Sequence, residues 1–326
     1  MRIILTQAQI LSFVVALGLS LVMTPLVTRL GLRWGITDKP VEEANDAAHP
    51  RRHRVNAKVT PRTGGIAVAL AFVIPVLCFS RLTLELKGIL IGGTIVFVGM
   101  LLDDMFDIPA VLKLLIQSIA AIVVISFGVR VTALTDFLHG GFFELGAFGI
   151  LLTYIWIVGI TNAVNLIDGL DGLAAGVASL ILLAMFFFAV FKNMSTLAAL
   201  LAALLGSVLG FLVFNYNPAK VFLGDAGSEF LGFMIASFSI YGTLKLPTTI
   251  MLVLSVFALG IPIAETASSI FRRVARHQSP MEADNGHFHY LLLFRGWSQR
   301  RITTLYYVVT LVLCSIGLVI ALAGAR

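Results

Sequence analysis

The sequence predicts an all-α polytopic integral membrane protein with about ten transmembrane helices and both termini outside. Three observations predict it. Of 326 residues, 59% are hydrophobic and only 12% charged, whereas a soluble domain is roughly a quarter charged. Charge-poor runs recur along the whole chain, and crossing the roughly 30 Å hydrocarbon core of a bilayer takes about 20 apolar residues in a helix. The basic residues concentrate in alternate connections, the pattern that orients a multi-spanning chain. This composition excludes a disordered chain, which is poor in hydrophobic residues and high in net charge. Cys78 and Cys314 both sit in apolar runs. Each reads as a small membrane-buried hydrophobe, not as part of a disulfide framework or thiolate cluster.

The apolar runs fall at 3–28, 63–80, 88–102, 114–129, 145–167, 172–191, 193–219, 230–244, 246–264 and 302–325. No small-residue cleavage site closes the first, so it reads as a retained membrane helix. Runs 88–102 and 230–244 hold only 15 residues each. They span if Lys87, Glu229 or Lys245 snorkel to the interface, with a re-entrant segment as the alternative. Ten spans put both termini on one side. With that side outside, 16 of the 23 Lys and Arg residues lie in inner loops, and Arg2, Arg81, Lys87, Arg130, Lys192, Lys245 and Arg326 scatter over outer segments. The net charge of +6 is thus a matter of orientation, and no nucleic-acid partner is expected. No period of 20 to 50 residues repeats, so 1–326 reads as a single domain.

The same orientation, fixed by basic residues alone, places Asp103, Asp104, Asp107, Asp168, Asp171, Asp225 and Glu265 at or near inner helix ends, with Glu282 and Asp284 in the last inner loop. A carboxylate at a membrane boundary costs a few kcal/mol if it slips into hydrocarbon. A shared site facing the cytoplasm explains the crowding better than stability does.

Four motifs and a basic loop build that face. At Pro61-Arg62-Thr63-Gly64-Gly65, two glycines at a helix start let a phosphate approach backbone N–H groups and the positive end of the helix dipole. A turn followed by a close packing contact is the other reading. Asp103 and Asp104 sit at a helix C-terminus, where they oppose the dipole, so simple capping does not explain them. Aspartates so placed suit Mg²⁺, which takes oxygen ligands and keeps waters or phosphates in its shell. In Asn162-Ala-Val-Asn165-Leu-Ile-Asp168-Gly-Leu-Asp171-Gly, the spacing of three lets Asn165, Asp168 and Asp171 share one broad helical face, whereas the two glycines permit a tighter loop, and either geometry can point three oxygen ligands or acceptors the same way. Gly224-Asp225-Ala-Gly227-Ser228 lacks the lysine and spacing of a P-loop. Asp225 reads as a metal ligand with Phe222 placed to stack on a base, or else as a turn that caps the eighth run. The last inner loop sets Arg272, Arg273 and Arg276 beside His287-Phe-His289-Tyr290. Arginine forks suit phosphates, zinc is a weaker alternative because no cysteine joins the histidines, and a basic loop held to anionic lipid is the plain one.

Taken in order, these five motifs resemble the polyprenyl-phosphate N-acetylhexosamine-1-phosphate transferases, glycosyltransferase family 4, over about residues 20–320. Pro-Arg-x-Gly-Gly and Asp-Asp-x-x-Asp107 are similar to the branch that begins O-antigen, enterobacterial common antigen or teichoic-acid linkage units. The peptidoglycan-precursor branch typically reads Thr-Pro-Thr-Met-Gly-Gly and Asp-Asp-x-x-Lys. Tyr290 stands where the family often has a third histidine.

The resemblance implies transfer of N-acetylglucosamine-1-phosphate from UDP-GlcNAc to undecaprenyl phosphate, at the inner face of a bacterial cytoplasmic membrane, with a homodimer as an optional assembly. It implies Mg²⁺, with Mn²⁺ as an alternative, held mainly by Asp225 with Asp168. Asp103 and Asp104, beside the lipid phosphate, would be catalytic, as would Asp168 in the nucleotide and metal shell. Asn165, Asp171, Phe222, Gly64, Gly65, Arg272, His287 and His289 would bind substrate. A secondary transporter with carboxylate relays is the alternative function, but transporter sites lie near the midplane on broken helices.

Overall fold

The computed structural model describes residues 5–38, 59–135, 141–244, 250–275 and 287–323. Arg276, Glu282 and Asp284 lie outside the described residues, as do the loop cations Lys39, Arg51, Arg52, Arg54 and Lys58. Each of the ten apolar runs coincides with helix. They are α1 (Gln7–Trp34), α2 (Gly64–Phe79), α3 (Leu84–Phe106), α4 (Ala110–Ser126), α5 (Gly146–Leu166), α6 (Leu173–Phe191), α7 (Ser195–Asn215), α8 (Gly224–Thr243), the pair α9 (Ile250–Ala258) and α10 (Gly260–Ala275), and α12 (Gln299–Ala323). The last loop adds the short α11 (Phe288–Phe294). Two small antiparallel ribbons complete the described elements: β1 (Thr37–Asp38) with β2 (Thr60–Pro61), and β3 (Ala133–Thr135) with β4 (Phe142–Glu144).

Local chemistry fixes the ends. Thr6 and Gln9 form a reciprocal capping box at the start of α1, which closes on Gly35 in the left-handed conformation, the usual C-terminal stop. Thr83 caps α3, and Asp107 ends it at φ 50°, a conformation that aspartate tolerates better than most residues.

Two expectations change. The runs at 88–102 and 230–244 belong to helices of 23 and 20 residues; α3 is long and apolar enough to span without a snorkelling side chain, whereas α8 is not among the helices that meet that test. Glu229 is in fact 2% exposed. The run at 246–264 is not one straight span but the α9–α10 pair, bent by 66°. Gly260 and Pro262 follow the break, and a proline inside a helix removes a hydrogen bond and clashes with the carbonyl four residues back. Among the described residues, six helices are long and apolar enough to cross a membrane (α1, α3, α5, α6, α7 and α12), and seven if the bent pair counts as one. The molecule is an all-α, multi-pass membrane protein.

The core is built around α7 and α8. α7 packs on α1 and α6, and α8 on α3 and α5. From Gly224 to Gly242 every residue of α8 is buried except Asp225. A helix buried on all sides belongs in a bundle interior, and the partly exposed Asp225 at its N-terminal end marks where the bundle opens.

Candidate active site

The site begins where the C-terminus of α3 meets the first turns of α4 and α8. Lys113, on the first turn of α4, donates to Asp103 Oδ2 and, at 2.7 Å, to Asp225 Oδ2. Asp103 Oδ1 also accepts the Ile108 N–H at 2.9 Å, which fixes the α3–α4 turn. Asp104 accepts the N–H groups of Asp225 at 3.0 Å and Ala226 at 2.9 Å. Those are first-turn donors of α8 that no intrahelical carbonyl can reach, at the positive end of its dipole. The acids that oppose the α3 dipole are therefore compensated by a different helix, and Asp104 serves as a cap for α8 supplied from α3. Gly224 permits this approach. Its φ is +75°, and a Cβ there would fall 2.6 Å from Asp104 Oδ2.

The Gly64-Gly65 pair does not present donors to a phosphate, which corrects that expectation. Gly64 N–H donates to Phe222 O at 2.9 Å and Gly65 N–H to Leu223 O at 2.8 Å, while Phe222 N–H donates to Pro61 O at 2.8 Å. A Cβ on Gly65 would lie 2.5 Å from Gly227 N. The glycines let α2 and α8 touch backbone to backbone, the close-packing alternative. Phe222 keeps its ring half-buried beside this contact.

Beneath the carboxylates lies a buried polar layer that motif reading missed. Gln117 Nε2 donates to Glu229 Oε2 at 2.8 Å, and Asn162 Nδ2 donates to Gln117 Oε1 at 2.6 Å. Asn165 Nδ2 bonds Ser228 Oγ at 3.2 Å and approaches Glu229 Oε1 at 3.5 Å. These amides satisfy a carboxylate that burial would otherwise penalise heavily. The signal was present: Gln117 follows Lys113 by four and Glu229 follows Asp225 by four, which stacks each on the same helix face.

Asn165, Asp168 and Asp171 do not share one face, a further correction. Asn165 turns to α8. Asp171 is buried and accepts from Asn217 Nδ2 at 2.9 Å and Ala219 N–H at 3.0 Å, while its own N–H donates to Gln299 Oε1 at 3.3 Å. α5 ends at Leu166, between them, and Gly172, at φ +72°, precedes the start of α6, so Asp171 ties the α7–α8 turn and the start of α12 to the connecting loop. Asp168 stays half-buried, its N–H on Asn165 O at 3.0 Å.

The histidines form a second cluster. Both rings face Glu265 of α10, His289 Nδ1 at 3.3 Å from Oε1 and His287 Nδ1 at 3.6 Å from Oε2. Burial holds the His289 imidazole below the ordinary histidine range, against the opposing pull of Glu265. Arg272 bonds Ser268, one turn back on its own helix.

Among the described residues no three His, Cys, Asp or Glu side chains converge on one metal position. Asp103 and Asp225 do share one cation, Lys113. Mg²⁺ is commonly held by one or two carboxylates completed by waters and substrate phosphates, so the partly exposed Asp225 fits a metal that arrives with the nucleotide better than a preformed cage. Asp103, Asp104 and Asp225 sit at helix ends, tied to backbone N–H groups and a lysine, and not on a broken helix as in a transporter; Glu265, just past the α9–α10 bend, is the exception.

The family model for glycosyl transferase family 4 matches residues 86–243, the stretch that carries Asp103, Asp104, Lys113, Asn165, Asp168, Asp171 and Asp225. A probable undecaprenyl-phosphate N-acetylglucosaminyl 1-phosphate transferase from Bacillus subtilis is 36% identical over 305 residues, covering 92% of this chain and 81% of that protein. The chain belongs to glycosyl transferase family 4. Other similar proteins are a decaprenyl-phosphate N-acetylglucosaminephosphotransferase from Mycobacterium leprae, 32% identical over 80% of this chain and 73% of its own, and a phospho-N-acetylmuramoyl-pentapeptide-transferase from Thermoanaerobacter, 34% identical over 94% and 96%. In this glycosyl transferase family 4 protein, a lysine bridging two aspartates at the mouth of a buried helix gathers charge of both signs in one place.

Proposed function

We propose that the chain transfers N-acetylglucosamine-1-phosphate from UDP-GlcNAc to undecaprenyl phosphate, releasing UMP. The observation that carries this reading is the Asp103–Lys113–Asp225 bridge at the N-terminus of α8. An oxygen of the lipid phosphate attacks the sugar-bearing phosphorus of the nucleotide. A P–O bond forms there, and the bond from that phosphorus to the bridging oxygen breaks. The oxygen leaves with UMP, and the lipid keeps the new diphosphate and its sugar.

A phosphate with a second pKa near 6 is mostly dianionic at neutral pH, so a general base adds little. Alignment and charge stabilisation are the larger contributions. Lys113 offsets negative charge between the reactants, and Asp103 orients it. Asp225, with Asp168, would hold Mg²⁺, which when bound offsets charge on the diphosphate and the departing UMP. Asn165 and Phe222 serve the nucleotide, and Arg272 and His287 its phosphates or sugar, with the fully buried His289 behind them. Asp104 contributes by setting the position of Asp225.

The lipid phosphate cannot leave the interface, which suits a site at helix ends. The basic-residue pattern puts that end in the cytoplasm, with both chain ends opposite and α2, α4 and α8 completing ten spans. The product would begin a cell-envelope polymer of the O-antigen, common-antigen or teichoic-linkage type. The test is to offer the purified chain undecaprenyl phosphate with a panel of UDP-N-acetylhexosamines and weigh the lipid product. GlcNAc-1-phosphate transfer is expected to dominate, and a product from another sugar alone would refute the substrate assignment.

A further inference from the structure

Glu265 lies on α10 just past the bend, and the transfer chemistry gives it no part. Its carboxylate is only 5% exposed. Oε1 accepts from the Tyr306 hydroxyl and faces His289 Nδ1 at 3.3 Å, while Oε2 accepts the Phe288 N–H at 3.0 Å and lies 3.6 Å from His287 Nδ1. We propose that Glu265 is a positioning residue of the transfer site: it holds His287 and His289 from behind and, through His289, buttresses the loop that carries Asp168. The inference rests on the reading that this histidine loop serves the transfer.

An ionised carboxylate can only accept hydrogen bonds. His289 Nδ1 therefore carries the hydrogen, and Nε2 keeps its lone pair on the opposite edge of the ring. That edge meets Gly169. A Cβ at 169 would lie 2.6 Å from His289 Nε2 and 2.8 Å from the Tyr290 hydroxyl, so only a residue without a side chain lets the imidazole rest against the backbone next to Asp168. His289 is fully buried, and Nε2 finds no hydrogen-bond partner among the described residues. Its place is set from the Nδ1 side.

The two imidazoles lie parallel, their centroids 5.5 Å apart and their planes 8° from one another; the carboxylate orients His289 by a hydrogen bond and faces His287 Nδ1 at 3.6 Å, an ion-pair distance without a hydrogen bond. The far side of the loop is held separately, by Asn215 and Tyr307 on Gly172 and by the Asp171 bonds. Asp168 thus sits between two clamps. Packing α10 on α12 does not call for an acid, and a buried carboxylate carries a desolvation penalty of several kcal/mol that an apolar side chain would avoid. What the acid holds is the reason for it.

The experiment uses the detergent-solubilised full chain and measures kcat, KM for UDP-GlcNAc and thermal unfolding. His289→Ala and Glu265→Gln are each expected to lower kcat about tenfold or more with KM within about threefold of the parent, and the double variant to fall no more than about threefold below the worse single one, because both break one line of contact. Glu265→Asp, which keeps two accepting oxygens, should retain more kcat than the better size match Glu265→Gln. Multiplying losses, or Gln outperforming Asp, would overturn the proposal. Should Glu265→Gln fail to fold, Tyr306→Phe removes a single donor from the same oxygen. A kcat reduced a few-fold is then expected, and an unchanged kcat would overturn the inference. An impaired His289→Ala beside an unimpaired Glu265→Gln leaves the site reading standing and removes this inference alone. Full activity in His289→Ala removes both.

Discussion

Lys113 shows why single residues in this site carry more than their motifs suggest. By sequence it is one basic residue of an inner loop. In space it joins Asp103 to Asp225, 112 positions further along, and no local pattern announces such an apposition. Asp225 and the paired aspartates were legible because acids at membrane boundaries need a reason. Their partners were not, because those depend on which helix ends meet. Asp225→Asn keeps size and hydrogen bonding but removes a charge, and should reduce turnover by roughly 10²-fold or more, given the several kcal/mol that charge stabilisation supplies in such sites. Lys113→Met should lose turnover to a similar degree while Asp104 still caps α8, so thermal unfolding should shift far less than activity. A Lys113→Met enzyme within a few-fold of the parent would show the bridge to be incidental. At Tyr290, whose ring packs 4.3 Å from that of His289, Tyr290→His should leave turnover within about threefold, under 1 kcal/mol. A loss of tenfold or more would mean that the tyrosine hydroxyl has a role of its own.

At the scale of elements, the helices were readable because apolar length is a one-dimensional property. Each run at 63–80, 88–102 or 230–244 is helix in the structure, though the ends moved. Asp103, Asp104 and Asp225 lie inside helices where hydropathy alone would have stopped short of them. The break before Gly260 was written in Gly260 and Pro262, but an uninterrupted apolar run masked it. The Gly64-Gly65 pair allowed two readings by sequence, and only the position of α8 against α2 selects packing. Gly65→Ala must push against Gly227 N, a backbone atom that cannot rotate away. Overpacking of that kind typically costs about 1–3 kcal/mol, so the unfolding midpoint should drop and Asp225 should be displaced, with turnover falling alongside. An alanine variant with parental stability and activity would contradict the backbone contact between α2 and α8.

At the scale of the whole molecule, α3, α5, α7 and α10 must run toward one side, and α2, α4 and α8 must start there, for the acids and histidines to share a face. The loops expected inside hold 16 of 23 basic residues. A reporter fused after Arg276 should therefore read cytoplasmic and one fused after Gly140 external, and the opposite pair of readings would break the shared-face argument. The reaction itself is tested most directly by UMP release from UDP-GlcNAc by the purified full chain, with undecaprenyl phosphate and Mg²⁺ supplied or withheld independently. Release is expected only when both are present, and it should be nearly abolished in Asp225→Asn. Release without the lipid phosphate, or undiminished release with Mg²⁺ chelated, would contradict the proposed transfer.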